Sequence, residues 1–178
     1  NGYKAAVSVY NSSGELVFSF DSYDNYISDA LVTGDGKSLA AVALVPQEGI
    51  FASTLLIYDL SEAVLTASCS IQDGLPMDVT WTDGRLLALC DTRLAMADEE
   101  GNLILDYPYG SLYLHDYTLD GEDFCALLLG KYQSGNICQL ITFDLEGQEV
   151  ASLELTEEVL DLSAAGEYLA VLYSDSMV

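Results

Sequence analysis

Four aspartates hold the same place in a repeating segment of this chain and are the first residues to consider for chemistry. Asp29, Asp78, Asp116 and Asp161 are spaced by 49, 38 and 45 residues. Brought to one axis, four carboxylates could ring a cation. Without one they would repel until one or more took up a proton. The same placement suits a structural task, in which each side chain accepts backbone N–H donors where a strand begins, as Asx turns do. The sequence favours the structural task, and no metal ligand is assigned.

Asp116, Asp120, Glu122 and Asp123 make a denser acidic group that could meet calcium through oxygen atoms. The segment lacks the spacing of a calcium-binding loop and contains a single glycine, Gly121. His115 precedes Asp116, and on a regularly alternating strand the two side chains point to opposite faces, so no His-Asp pair is expected. No serine sits in a Gly-x-Ser-x-Gly elbow, and no clustered histidines offer zinc ligands. Glycoside cleavage needs two carboxylates, but 29 acidic residues supply pairs everywhere and single out none. No catalytic residue is assigned. Cys69, Cys90, Cys125 and Cys138 fall in apolar runs without metal-ligand spacing and read as buried thiols, with a Cys125–Cys138 disulfide as the alternative.

Twelve tyrosines against one tryptophan, Trp81, direct attention to binding rather than catalysis. Tyr107 and Tyr109 flank Pro108 in a turn, and Tyr23 and Tyr26 occupy another connection. Tyrosine joins apolar area to a polar tip, so exposed copies serve peptide, protein or glycan contacts. These four are the candidate ligand-binding residues, with ordinary packing as the competing reading. Tyr113 and Tyr117 share strand parity and are core candidates.

The elements that would position these residues are legible as repeats. VSVYNSSGELVF from Val7, LLIYDLSEAVLT from Leu55, LAMADEEGNLIL from Leu94 and LITFDLEGQEVA from Leu140 share one strand-turn-strand pattern. Between them recurs an apolar residue, an Asp, a short strand, a Gly turn and a richly apolar strand. Tyr10, Tyr58, Ala97 and Phe143 are separated by 48, 39 and 46 residues, the same long-short-long rhythm as the aspartates. A repeat of about 44 residues suits a four-stranded propeller blade and is too long for a leucine-rich solenoid. The 3.6-residue apolar period of helical repeats is missing.

The pattern predicts an all-β chain, 1–178, forming a β-propeller domain or propeller segment of four-stranded antiparallel blades. Strands are expected at 5–10 and 15–20, then in three full blades between 27 and 155, then at 159–163 and 167–173. Residues Pro46 to Ser53 are expected to form a long loop. The total is three full blades and two half blades. These could close as four blades or form an arc of a larger propeller, with self-association through open blade edges.

Five Lys or Arg residues face the 29 acids, for a formal net charge of -24. Such a surface cannot neutralise phosphates, which excludes nucleic acid and disfavours anionic lipid. Solubility of a β-rich surface is the plainer explanation of the charge, with cationic partners or divalent ions as the alternatives.

The strand ends Tyr58-Asp59-Leu60 and Phe143-Asp144-Leu145-Glu146-Gly147, with Thr33-Gly34-Asp35-Gly36-Lys37-Ser38-Leu39-Ala40, resemble the blade grammar of WD40-like and quinoprotein-like propellers. More narrowly, the chain is similar to uncharacterised Gram-positive bacterial proteins that carry a membrane anchor before an extracellular β-propeller. The Gly-His and Trp-Asp pairs of true WD40 blades are absent, since His115 and Trp81 lie elsewhere in the repeat. The tryptophans that clasp a pyrroloquinoline ring are absent too, so no cofactor is implied. The resemblance implies an extracellular or cell-envelope location and a non-catalytic binding or scaffold module. The alternative is a propeller hydrolase or lyase acting on glycans or peptides through paired carboxylates. An exposed aromatic patch favours the first reading, and a deep cleft with convergent carboxylates the second.

Overall fold

A computed structural model describes residues 5–22, 26–47, 50–131 and 137–174. Sixteen strands are present among them, in five antiparallel sheets. The N-terminal hairpin pairs β1 (Ala5–Tyr10) with β2 (Leu16–Ser22). The first full blade orders β3 (Tyr26–Val32), β4 (Ser38–Gln47), β5 (Ile50–Asp59) and β6 (Val64–Ile71) from one edge to the other. The second contains β7 (Pro76–Thr82), β8 (Arg85–Cys90), β9 (Arg93–Asp98) and β10 (Leu103–Pro108), and the third β11 (Leu112–Thr118), β12 (Phe124–Lys131), β13 (Cys138–Asp144) and β14 (Glu149–Leu155). A two-stranded sheet, β15 (Val159–Ala165) with β16 (Tyr168–Tyr173), completes the series. Three sheets of four and two of two are the propeller arrangement expected from the repeats.

The chain divides into two compact units. One holds Asn1–Cys90 and Ala95–Leu103, the other Asp91–Leu94 and Ile104–Val178. In the first, the core joins Val42, Leu55, Ile57 and Ile71 of one blade to Val79, Leu86, Ala88 and Ala95 of the next. Phe18 and Phe20 of the N-terminal hairpin seat on Tyr58, with the Phe20 and Tyr58 rings stacked at 4.6 Å. In the second unit, Ala126, Leu128 and Leu140 pack with Val159 and Leu162. The second strand of each blade is buried on both faces, which is why β8 and β12 read as unbroken apolar runs, LLALC and CALLL. The last strand of the third blade, β14, is mostly exposed and carries Glu149 and Glu154.

Each first strand carries a β-bulge just before its repeated aspartate, between Ile27 and Asp29, Pro76 and Asp78, Leu114 and Asp116, and Val159 and Asp161. The extra residue, Ser28, Met77, His115 or Leu160, is exposed in every case. Asp29, Asp78 and Asp116 each accept the N–H of the following residue at 2.7 to 2.8 Å. This is the local backbone task expected of them.

One expected boundary fails. Residues Pro46 to Ser53 are not a long loop, because β4 continues to Gln47 and β5 begins at Ile50, with Pro46 opposite Phe51. Val45, Ile50 and Phe51 favour extended backbone, and a proline near the end of a hairpin removes little of the ladder.

Candidate ligand-binding cleft

Within every four-stranded blade, the first-to-second and third-to-fourth turns lie at one end, and the remaining connections lie at the other. The third-to-fourth turns are built alike. Asn11, Asp98 and Asp144 each bond through the backbone to the residue four positions on, while a glycine three positions on, at φ 79 to 80, donates back to the first carbonyl. Their side-chain oxygens accept the N–H of Glu15, Asn102 and Gln148 in the same way. Asp59 begins a turn one residue longer, accepting from Ser61 and Glu62, with Ala63 rather than glycine at positive φ.

In the first unit, these turn ends border a cleft of about 400 Å³. Asp35, Lys37 and Ser38 come from the β3–β4 turn, Asp59 and Thr66 from the β5–β6 hairpin, Trp81 from β7, and Glu99 and Glu100 from the β9–β10 turn. Trp81 is half-buried and rests against the core of this unit. Buried Thr33 sets the first turn: its hydroxyl donates to Asp35 at 2.8 Å and accepts the N–H of Ser38 at 3.0 Å.

Four carboxylates and one ammonium therefore line the cleft. The Lys37 N–H, the Thr33 hydroxyl and the Lys37 ammonium hold the Asp35 carboxyl down at about 2, and the ammonium lies 3.1 Å from it. The Glu62 N–H and the Ser61 hydroxyl hold Asp59 below its ordinary value. Both groups stay charged over the physiological range. The cleft combines an aromatic face with an excess of negative charge, the pair of features that attracts an organic cation.

Of the tyrosines picked out in the sequence, Tyr26 and Tyr107 lie at the opposite ends of their strands from these turns. Tyr26 is exposed at the start of β3. Tyr107 is half-buried, with its ring edge-on to Phe143 at 4.8 Å, and burial followed by the charge of Glu149 raises its phenol. Tyr109 was expected to be exposed beside its turn and is instead buried, its N–H donating to Thr92 at 2.9 Å. Gly110 follows it with φ 64. Tyr23 lies outside the described residues. Tyr26 belongs to the first unit and Tyr107 and Tyr109 to the second. Tyr113 and Tyr117, the core candidates, are both half-buried.

His115 and Asp116 do not diverge as regular alternation predicts. The bulge suspends the alternation, and both side chains reach β15: His115 Nε2 lies 3.2 Å from the Val159 carbonyl, and Asp116 accepts the Leu162 N–H at 2.9 Å. All four cysteines are reduced and buried. Cys125 pairs with Phe143 and Cys138 with Gly130, so the register keeps the two thiols apart and rules out the alternative disulfide. Among the described residues, no three His, Cys, Asp or Glu side chains gather closely enough to hold a metal. No helix there is long and apolar enough to cross a membrane.

Solved structures match this arrangement. The β-propeller domain of Cps50 (Swd1) from Myceliophteria thermophila is 17% identical with a TM-score of 0.52, covering 84% of this chain and 48% of its own. A eukaryotic initiation factor is 14% identical with a TM-score of 0.61, covering 94% of this chain and 44% of its own. The fold is β-propeller-like. It is related to the WD40 and propeller proteins by architecture alone at these identities. This chain spans about half the length of those two structures, whereas it covers 98% of the computationally designed Ika4 protein, at 11% identity and a TM-score of 0.57 over 90% of its own residues. No protein-family model and no curated protein matches the sequence.

Proposed function

We propose that the chain is a non-catalytic binding module whose Trp81 cleft takes a cationic peptide segment. The observation that carries this reading is the convergence of Trp81, Asp35, Asp59, Glu99 and Glu100 on one open cleft. A Lys or Arg side chain laid over the indole would meet carboxylates at its rim. The acidities of Asp35 and Asp59 support binding over catalysis. Both are shifted downward, whereas the general acid of a glycan-cleaving pair needs a raised value. A cell-envelope location belongs to the same proposal and is supported by the sequence resemblance alone.

Trp81 is the only tryptophan, so its fluorescence reports the cleft directly. Titration with a short oligolysine should give a saturable one-to-one change in emission. Calorimetry on Asp59→Asn/Glu100→Gln should show affinity lower by about tenfold, the effect of roughly 1.4 kcal/mol. The control Glu157→Gln, at a residue that does not line the cleft, should leave affinity unchanged. A linear, unsaturable response, or equal losses in both variants, would reduce the interaction to general attraction by the net charge and sink the proposal.

A further inference from the structure

The Trp81 cleft already holds a cation of the chain's own. The Lys37 ammonium lies 3.1 Å from the Asp35 carboxylate, and its main chain is fixed on both sides: the N–H donates to Asp35 at 3.0 Å, and the carbonyl accepts the Leu60 N–H at 2.9 Å. The next residue, Ser38, faces Asp59 across the β4–β5 ladder. Lys37 is thus anchored beside two acidic residues of the cleft, yet its side chain is 81% exposed. An anchored main chain with an exposed side chain lets the ammonium leave without opening the turn, and an ion pair so exposed is worth little.

The placement of this cation sets the first blade apart. The residue just before the second strand is Lys37 ahead of β4, Gly84 ahead of β8, Asp123 ahead of β12 and Glu167 ahead of β16. Only one of the four is positive, in a chain with five Lys or Arg in all, and it is the one that lines the cleft.

Hydrogen bonding divides the two aspartates of the cleft. Both oxygens of Asp35 are engaged, Oδ1 by the Thr33 hydroxyl and the Lys37 N–H, Oδ2 by the Lys37 ammonium. Among the described residues, the donors to Asp59 all fall on Oδ1: the Ser61 N–H, the Ser61 hydroxyl and the Glu62 N–H. An incoming cation therefore finds Asp59 Oδ2 free and Asp35 taken.

We infer that Lys37 is a built-in competitor for the cleft, whose ammonium a ligand cation must displace from Asp35. This rests on the reading of the cleft as a site for a cationic peptide, and it says what holds that binding back. While the internal pair stands, Asp35 offers no acceptor and the ammonium repels the arriving charge. Neutralising Lys37 removes both obstacles.

Calorimetry with the short oligolysine compares variants of equal charge. Lys37→Gln should bind about three- to fivefold more tightly than the unmodified chain, toward the upper end of what an exposed ion pair contributes. Lys131→Gln removes the same charge at a residue that does not line the cleft and should leave affinity nearly unchanged. Lys37→Arg, which keeps the charge, should match the unmodified chain. Asp35→Asn should cost little in the unmodified chain, where Lys37 already fills Asp35, and about three- to fivefold in the Lys37→Gln background. Equal tightening by Lys37→Gln and Lys131→Gln, weaker binding by Lys37→Gln, or an Asp35→Asn effect that is the same in both backgrounds each overturns the inference and leaves the cleft reading standing. Saturable binding by none of these proteins would defeat the cleft reading itself, and the inference with it.

Discussion

One carboxylate oxygen of Asp116 accepts the N–H of Leu162 at 2.9 Å while the other accepts the N–H of Tyr117 at 2.8 Å. Asp116 thereby ties β11 to the first strand of the half blade that follows it. Asp29 holds the same place in its own repeat, is exposed, and accepts the N–H of Ala30. Replacing Asp116 with Ala should destabilise the protein by about 1 to 3 kcal/mol, because a partly buried N–H loses its acceptor. Asp29→Ala should cost about 1 kcal/mol or less. Urea denaturation of both variants compares them, and equal losses would mean that the Leu162 bond contributes nothing measurable.

The turn glycines separate backbone strain from crowding. Gly14 and Gly101 have φ of 80 and 79, but a Cβ at Gly14 meets nothing within 4 Å, whereas one at Gly101 would lie 3.0 Å from the Ser68 carbonyl oxygen. Gly14→Ala should destabilise by about 1 kcal/mol from the left-handed backbone alone. Gly101→Ala should lose roughly 1 kcal/mol more, because a backbone atom in a sheet cannot step aside. Thermal unfolding of the two variants would show the difference as a lower midpoint for Gly101→Ala.

Asp35 should keep its charge far into acid. Its folded value near 2 lies below the ordinary 3.8, so its contribution to stability is complete above 3.8 and is lost as pH falls toward 2. Carboxyl NMR should place its midpoint near 2, and Thr33→Val should raise it by removing one donor. A midpoint near 3.8 in the unmodified protein would mean that the Thr33–Asp35–Lys37 turn is not formed in solution.

Burial pushes the Cys125 thiol up from 9.0 to about 12. Its contribution to stability is therefore complete below 9 and falls as pH rises toward 12. At pH 8, iodoacetamide should label none of the four cysteines rapidly in the folded protein and all four in denaturant. Fast native labelling of Cys125 would show that its strand opens readily.

The half of the fold governed by local chemistry was legible in the chain. Asn11-Ser12-Ser13-Gly14 and Asp98-Glu99-Glu100-Gly101 announced their turns because the side-chain acceptor and the positive-φ glycine lie within a few residues of each other. The repeated aspartates were recognisable as backbone acceptors for the same reason. The cleft was not legible. Trp81 stood out only as a lone tryptophan, and its acidic neighbours come from turns that are distant in sequence.

The all-β class, the four-stranded repeat and its division into three full and two half blades were written in the chain. Those follow from period-two patterning and turn residues, which act over a handful of positions. Which side chains meet was set by packing between distant segments. It buried Tyr109, sent both His115 and Asp116 to β15 through a bulge, and separated Cys125 from Cys138 by register. Bulges and strand partners are set by packing between segments some 40 residues apart, and one inserted residue is enough to reverse which face a side chain takes.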